Sequence, residues 1–331
     1  LRILITGSTG FIGEYLTKEL ASQEHEIFCL VRSTSKIDKI KDLNISIIYG
    51  DILNRKSLET AVEDVDIIYH LVGVGSLSAN SEEEFNKFYN INFTGTQNLL
   101  ESVMAKNVNV KKIICISSTA AVGLRDGIIN ESTTCTPKTP YQKSKYEGEK
   151  MILDYYETQG LPVTIIRPCM VYGEGDLRSE ILKMCKFIKM GFFPLFNDGN
   201  NAVPLIYITD LIQGILLSAE KGRDGEIYFI TNEKISTMNE IIDAISNNMN
   251  SRVSRLRIPK RIAKICAYII EEIALIFKIR PIITRDRIDS MTASRIFSID
   301  KAKTDLDYSP RVSLEEGIAN TIMWYKNNNI I

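Results

Sequence analysis

Six short runs of this chain are apolar on nearly every residue rather than on every second one: Arg2–Thr6, Glu26–Val31, Ile45–Tyr49, Asp66–Leu71, Lys112–Ile116 and Val163–Arg167. A strand with one wet face alternates, so runs of this kind belong to strands buried on both faces. Helical stretches separate them, at Phe11–Ser22, Arg55–Glu63, Glu82–Lys106 and Tyr141–Thr158. Buried strands that take turns with helices require a parallel sheet covered on both sides, a doubly wound α/β fold. Beyond Pro168, Glu180–Met190 reads as a helix and Phe192–Asn201 as turn-rich, while Pro204–Ile208 and Glu226–Ile230 read as strands returning to the sheet. From Ser236 onward the pattern is mainly helical. Residues 1–168 with 202–232 are therefore expected to form the sheet domain, and 169–201 with 233–331 a smaller lobe.

The first strand runs into Thr6-Gly7-Ser8-Thr9-Gly10-Phe11-Ile12-Gly13 and then an amphipathic helix. Glycines at this spacing are common, but at the first strand-to-helix turn of a βαβ unit they mark a dinucleotide-binding turn. Gly7 allows the turn, Gly10 lets the backbone approach a pyrophosphate, and Gly13 lets the helix pack close to the sheet. The helix start, with Thr9, Phe11 and Ile12, offers N–H donors to the anion. At the tip of the second strand, where an NAD site usually has a carboxylate, stands Arg32, with Lys36 close by. A guanidinium grips a 2′-phosphate that a carboxylate would repel, so NADP(H) is favoured; if Arg32 merely stacks on adenine, NAD(H) is accepted. Asp51, followed by Ile52, sits after the third strand, where it either accepts a bond from the adenine amine or caps the next helix.

Tyr141 and Lys145 open a helix four residues apart, which puts them on one face. A free phenol has a pKa of about 10, so proton exchange near neutral pH needs a stabilised phenolate. A cation one turn away, together with an oxidised nicotinamide ring, would supply that. Such a pair alone mostly marks a solvated helix face. Here it follows a dinucleotide turn and a strand ending Ile116-Ser117-Ser118-Thr119.

Taken together these residues resemble the extended short-chain dehydrogenase/reductase family, within the NAD-dependent epimerase/dehydratase superfamily. The likeness spans the chain: TGSTGFIG at Thr6–Gly13, GDIL at Gly50–Leu53, HLVG at His70–Gly73, NFTGTQN at Asn92–Asn98, SSTAAVG at Ser117–Gly123, RPCMVYGEGD at Arg167–Asp176, and the tail Asp300–Tyr325. The resemblance implies that Tyr141 is the general acid/base and that Lys145 lowers its pKa and holds the nicotinamide ribose. It further implies that Thr119 bonds the reacting oxygen, that Leu71, Val72 and Gly73 line the cofactor, and that Pro168 and Val171 pack near the nicotinamide. Asn92 and Asp210 are expected to be structural. A homodimer through Glu82–Lys106 and Tyr141–Thr158 is also in keeping with the family.

Two reactions share this machinery. One is net reduction of a ketone or oxidation of an alcohol, as in the 3β-hydroxysteroid dehydrogenase and dihydroflavonol reductase branch. The other is oxidation and re-reduction of a nucleotide sugar, giving epimerisation or dehydration. Arg32 favours the first, and so does Met170, which stands beside the substrate where many nucleotide-sugar members carry Asn. Asp198–Asp210 also lacks the Arg such members commonly place there. A cofactor-binding regulatory protein without catalysis is the reading of another class; such proteins usually lose the Tyr or the Lys.

Charge gives no reason to expect nucleic acid: 40 basic against 41 acidic residues leave a net charge of -1, so no global field recruits it, although a local basic patch is not excluded. Six scattered cysteines without a CxxC pair, and two histidines, suggest neither a disulfide framework nor a metal site. The first strand begins almost at Leu1, leaving no room for a signal segment, which points to the cytosol. Arg261–Lys278 is a broadly apolar helix interrupted by Lys264, Glu271 and Glu272. Burial against its own domain is the expectation, with a membrane-surface contact or an apolar substrate wall as alternatives.

Overall fold

The computed structural model describes residues 1–75, 82–277, 279, 281 and 283–331. The chain opens with β1 (Arg2–Thr6), α1 (Phe11–Ala21), β2 (Glu26–Val31), β3 (Ser46–Tyr49), α2 (Arg55–Val62) and β4 (Ile67–His70). Next come α3 (Glu82–Tyr89), a π-helical turn at Asn90–Thr94, α4 (Gly95–Lys106) and β5 (Lys112–Ile116). A 3-10 turn (Thr119–Val122), β6 (Gly127–Ile129), α5 (Pro140–Gln159) and β7 (Val163–Pro168) complete the first half. The second half holds β8 (Met170–Tyr172), α6 (Glu180–Lys189), β9 (Phe192–Phe196), β10 (Ala202–Val203), β11 (Leu205–Tyr207), α7 (Ile208–Lys221) and β12 (Ile227–Ile230). It closes with β13 (Ser236–Thr237), α8 (Met238–Met249), β14 (Ser254–Ile258), α9 (Lys260–Ile276), α10 (Arg285–Thr292), β15 (Arg295–Phe297), α11 (Asp300–Leu306) and α12 (Leu314–Asn327).

Seven strands form one sheet in the order β12-β7-β5-β4-β1-β2-β3, parallel at every pairing. Two apolar layers cover its faces, one including Ile3, Ile5, Leu16 and Leu211, the other Leu4, Leu58, Leu99 and Val163. The chain starts in the middle at β1, adds β2 and β3 on one side, then crosses to β4. That reversal leaves a crevice at the carboxyl ends of β1 and β4, where ligands bind in open α/β sheets.

Several sequence expectations need correction. The third strand is the sheet edge rather than a buried strand, with Tyr49 exposed. Pro204–Ile208 does form a strand, but β11 pairs with β8 outside the main sheet; Ile227–Ile230 alone makes the expected return. The turn-rich stretch begins with β9, which pairs in parallel with β14. The helix read as Glu82–Lys106 is interrupted by the π turn, which buries Asn92. The apolar helix becomes α9, but its isoleucines face outward and its alanines inward, so burial against its own domain is overturned. Lys278, the end of that stretch, lies outside the described residues.

Candidate active site

At the crevice, the glycine turn is built by close approach. Gly7 turns at φ +79°, and a Cβ on Gly13 would lie 2.1 Å from the Gly7 carbonyl oxygen. Helix α1 can start against β1 only because neither residue carries a side chain. Its N-cap, Gly10, offers no side-chain oxygen to the first turn, and Thr9 and Gly10 are exposed. Free N–H groups at an uncapped helix start are a receptor for a phosphate. The residues present therefore fit the diphosphate of a dinucleotide.

Helix α5 is started by a capping box: Thr139 Oγ1 accepts from Gln142 N, the Gln142 side chain accepts from the Thr139 backbone N–H, and Pro140 occupies the first turn. This fixes Tyr141 in the first turn, with Lys145 on the same face. Tyr141 is wedged in place; a Cβ on Gly75 would lie 2.3 Å from its ring, and Phe88 meets it edge-on at 6.1 Å. Asn92 ties the loop after β4 to α5. Its Oδ1 accepts from Val74 N at 2.9 Å, and its Nδ2 donates to Val74 O at 2.8 Å and Ser144 Oγ at 3.0 Å. Lower on the helix, Glu149 takes Arg167 in a bidentate pair, Nε–Oε1 2.9 Å and Nη2–Oε2 2.6 Å, locking α5 to β7.

Lys145 Nζ donates to the Ile116 carbonyl at 3.0 Å. Burial pushes its pKa down to about 8, against the upward pull of Glu149 and Cys115. An ammonium has three donors, so two remain for ribose hydroxyls. Burial also raises the Tyr141 phenol, while a hydrogen bond from the Ser118 side chain pulls it back. In the unliganded chain burial governs the Tyr141 phenol. The Ser118 side chain bears on the Tyr141 phenol, and Thr119 is buried at the start of the 3-10 turn.

Ile12, Leu71, Gly73, Ser117, Tyr141 and Lys145 come together around one cleft. Ser117 Oγ is buried there without a hydrogen-bond partner, an orphan that a ligand would satisfy. A second cavity adjoins it and shares Glu180 and Arg287 in its walls. Its lining is largely apolar, with Leu124, Met170, Met184, Phe193, Met238 and Met291. Arg287 and Arg295 also line it, and neither has an ion-pair partner among the described residues.

The remaining expected residues are spread more widely. Arg32 is exposed just past β2, and Lys36 follows it, also exposed. Asp51 Oδ1 accepts from Leu53 N at 2.9 Å within its own turn. Asn54 is the N-cap of α2, so the capping alternative for Asp51 fails. Ile52 is core, packed beneath Gly95. Val72 and Val171 pack against the apolar layers, and Pro168 is buried at the end of β7. Asp210 accepts from Arg311 N and Val312 N, both at 3.0 Å, and so ties down the loop before α12. Ser117, Ser118, Gly75 and the Arg287–Arg295 pair were not singled out beforehand. Ser117 and Ser118 stood in the quoted Ser-Ser-Thr run, but the arginines lie outside any motif.

Residues 3–231 match the family model described as NAD dependent epimerase/dehydratase family. A 3-beta-hydroxysteroid dehydrogenase of Mycolicibacterium neoaurum is 25% identical over 98% of this chain and 91% of its own length. The UDP-N-acetyl-alpha-D-glucosaminuronate decarboxylase of Bacillus cytotoxicus is 26% identical over 98% of each chain. Among solved structures, UDP-glucuronic acid 4-epimerase from Bacillus cereus in complex with NAD shares the fold, with a TM-score of 0.79 at 23% identity over 99% of both chains.

Proposed function

The chain belongs to the NAD dependent epimerase/dehydratase family, and from that premise we propose that it moves a hydride between NADP(H) and a ketone or secondary alcohol on a largely apolar molecule. The observation that carries this reading is the apolar cavity beside Tyr141, rich in methionines that adapt to an apolar guest. The lobe formed by 169–201 and 233–331 supplies most of its walls. The nicotinamide, when bound, donates or accepts the hydride. Tyr141, held neutral by burial, donates a proton to the developing alkoxide, the direction of a reductase. Ser118, beside it, orients the same oxygen in the place first given to Thr119. Lys145 holds the nicotinamide ribose and restores the charge that a transient phenolate needs. Gly7 to Gly13 receive the diphosphate, Asp51 the adenine amine and Arg32 the 2′-phosphate; Leu71, Val72, Gly73, Pro168 and Val171 flank the ring.

A second reading, a nucleotide-sugar epimerase or dehydratase, is favoured by one observation. Arg287 and Arg295 bring into the cavity two guanidinium groups that pair with no carboxylate among the described residues, and a diphosphate would satisfy them. One experiment separates the two. Freshly purified protein is denatured, released nucleotide identified, and the emptied protein titrated with NADPH and NADH. An empty site preferring NADPH supports the reductase, whereas retained stoichiometric NAD supports the epimerase. In either case Tyr141→Phe should abolish turnover with cofactor affinity nearly intact, and full activity would refute the mechanism.

A further inference from the structure

We propose that α9, with the basic strand that leads into it, docks on an anionic lipid surface. Ile262, Ile265, Ile269, Ile273 and Ile276 recur at helical spacing along one side of α9, and each is 47% to 74% exposed. On the other side Ala263, Ala267 and Ala274 pack inward, none more than 4% exposed. A helix folded on its own domain puts its large apolar residues inside; this one reverses the arrangement. Leu256, in the strand that leads into α9, is exposed as well. Patches of this extent mark a contact with something else.

Charge identifies the occupant. Residues 252–264 carry Arg252, Arg255, Arg257, Lys260, Arg261 and Lys264 and no acid. Arg255 pairs with Asp243, and Lys260 and Lys264 with Asp289. Arg252, Arg257 and Arg261 are exposed, with no ion-pair partner among the described residues. Glu271 is engaged by Arg285, so Glu272 is the acid near the apolar side without an ion-pair partner among the described residues. A second copy meeting this face by two-fold symmetry would offer these arginines few acids, since residues 252–270 hold none. Lipid headgroups neutralise them, while the isoleucines enter the acyl boundary. No helix among the described residues is long and apolar enough to cross a membrane, so α9 lies in the interfacial plane.

The placement has a consequence for access. Helix α9 holds α10 through Lys264–Asp289 at 2.8 Å and Glu271–Arg285 at 2.7 Å. Asp286, Arg287 and Asp289 of α10 line the apolar cavity, to which α9 contributes no wall. Docking therefore brings that cavity to the lipid without blocking it. The inference stands whichever reaction the site performs.

The test is co-sedimentation of the full chain with vesicles of phosphatidylcholine alone and of equal parts phosphatidylcholine and phosphatidylglycerol. Binding should be about tenfold stronger to the anionic vesicles and fall as salt rises. The double variant I265N/I269N should lose it by about tenfold or more, with its far-UV circular dichroism unchanged. Should that variant fail to fold, the wild-type protein still decides. Cys266, on α9, is the one exposed cysteine of the six, and a solvatochromic label there should shift blue on anionic vesicles. Protein left in the supernatant with an unshifted label overturns the proposal. So does a wild-type dimer that I265N/I269N converts to monomer without any vesicle binding.

Discussion

Replacing Glu149 by Gln tests how the catalytic helix is held to the sheet. Glu149 and Arg167 are each 2% exposed and joined by two charge-assisted hydrogen bonds. Arg167 Nη1 already lacks a partner, so after the substitution the guanidinium keeps its charge and loses its counter-ion. Breaking such a pair from one side costs about 3–5 kcal/mol, because an uncompensated charge stays buried. Unfolding entropy of about 2.1 cal/mol/K per residue gives about 0.7 kcal/mol/K for 331 residues. The expected fall in Tm is therefore about 4–7 °C by scanning calorimetry. The double variant E149M/R167M, which removes both charges at similar volume, should recover most of that loss. A further effect runs through Lys145, whose pKa Glu149 holds up; in E149Q it should fall below its present value of about 8. A Tm within about 1 °C of wild type for E149Q would refute the argument, since it would mean that water or Cys135 already solvates the guanidinium.

Three further outcomes are expected. Ser118→Ala should lower kcat by about 10²-fold, whereas Thr119→Ala stays within about threefold; steady-state kinetics of the two variants side by side decides which hydroxyl faces the reacting oxygen. Lys145 is depressed by burial to about 8, and binding an anionic cofactor should pull it back up. Cofactor binding should then take up protons near pH 8 to 9, take up almost none at pH 6, and weaken as pH rises through the folded pKa; calorimetry in buffers of different ionisation heat reads this directly, and zero uptake at pH 8 would exclude Lys145 from the cofactor contact. Gly75→Ala places a methyl 2.3 Å from the Tyr141 ring, so kcat should fall by about 10²-fold while nucleotide affinity, read by fluorescence titration, changes little.

The parts of this protein legible from sequence are those set by local pattern. Strands apolar on every residue had to be buried on both faces, and β1, β4, β5 and β7 are inner strands of the sheet. Glycines at a strand-to-helix turn likewise had one steric use, and Gly13 meets the Gly7 carbonyl as that use requires. What escaped depends on partners far along the chain. Apolar runs report burial without naming a neighbour, so β11 could be recognised as a strand yet assigned to the wrong sheet. Isoleucines at helical spacing are equally regular on a buried and on an exposed face, and α9 has them outside because alanines fill its contact side.

The hydroxyl at the site shows the limit most sharply. Ser117, Ser118 and Thr119 are consecutive, and which one reaches Tyr141 depends on where the extended backbone ends. Ser118 is still extended, at φ -164° and ψ 150°, and its Oγ accepts from Ala120 N as the cap of the 3-10 turn. Thr119 begins that turn and is rotated into the interior. One residue's difference in the end of a strand thus changes the surroundings of a hydroxyl. Side chains alternate across a strand, so a motif read as three adjacent hydroxyls carries three different environments, and only the turn that follows tells them apart.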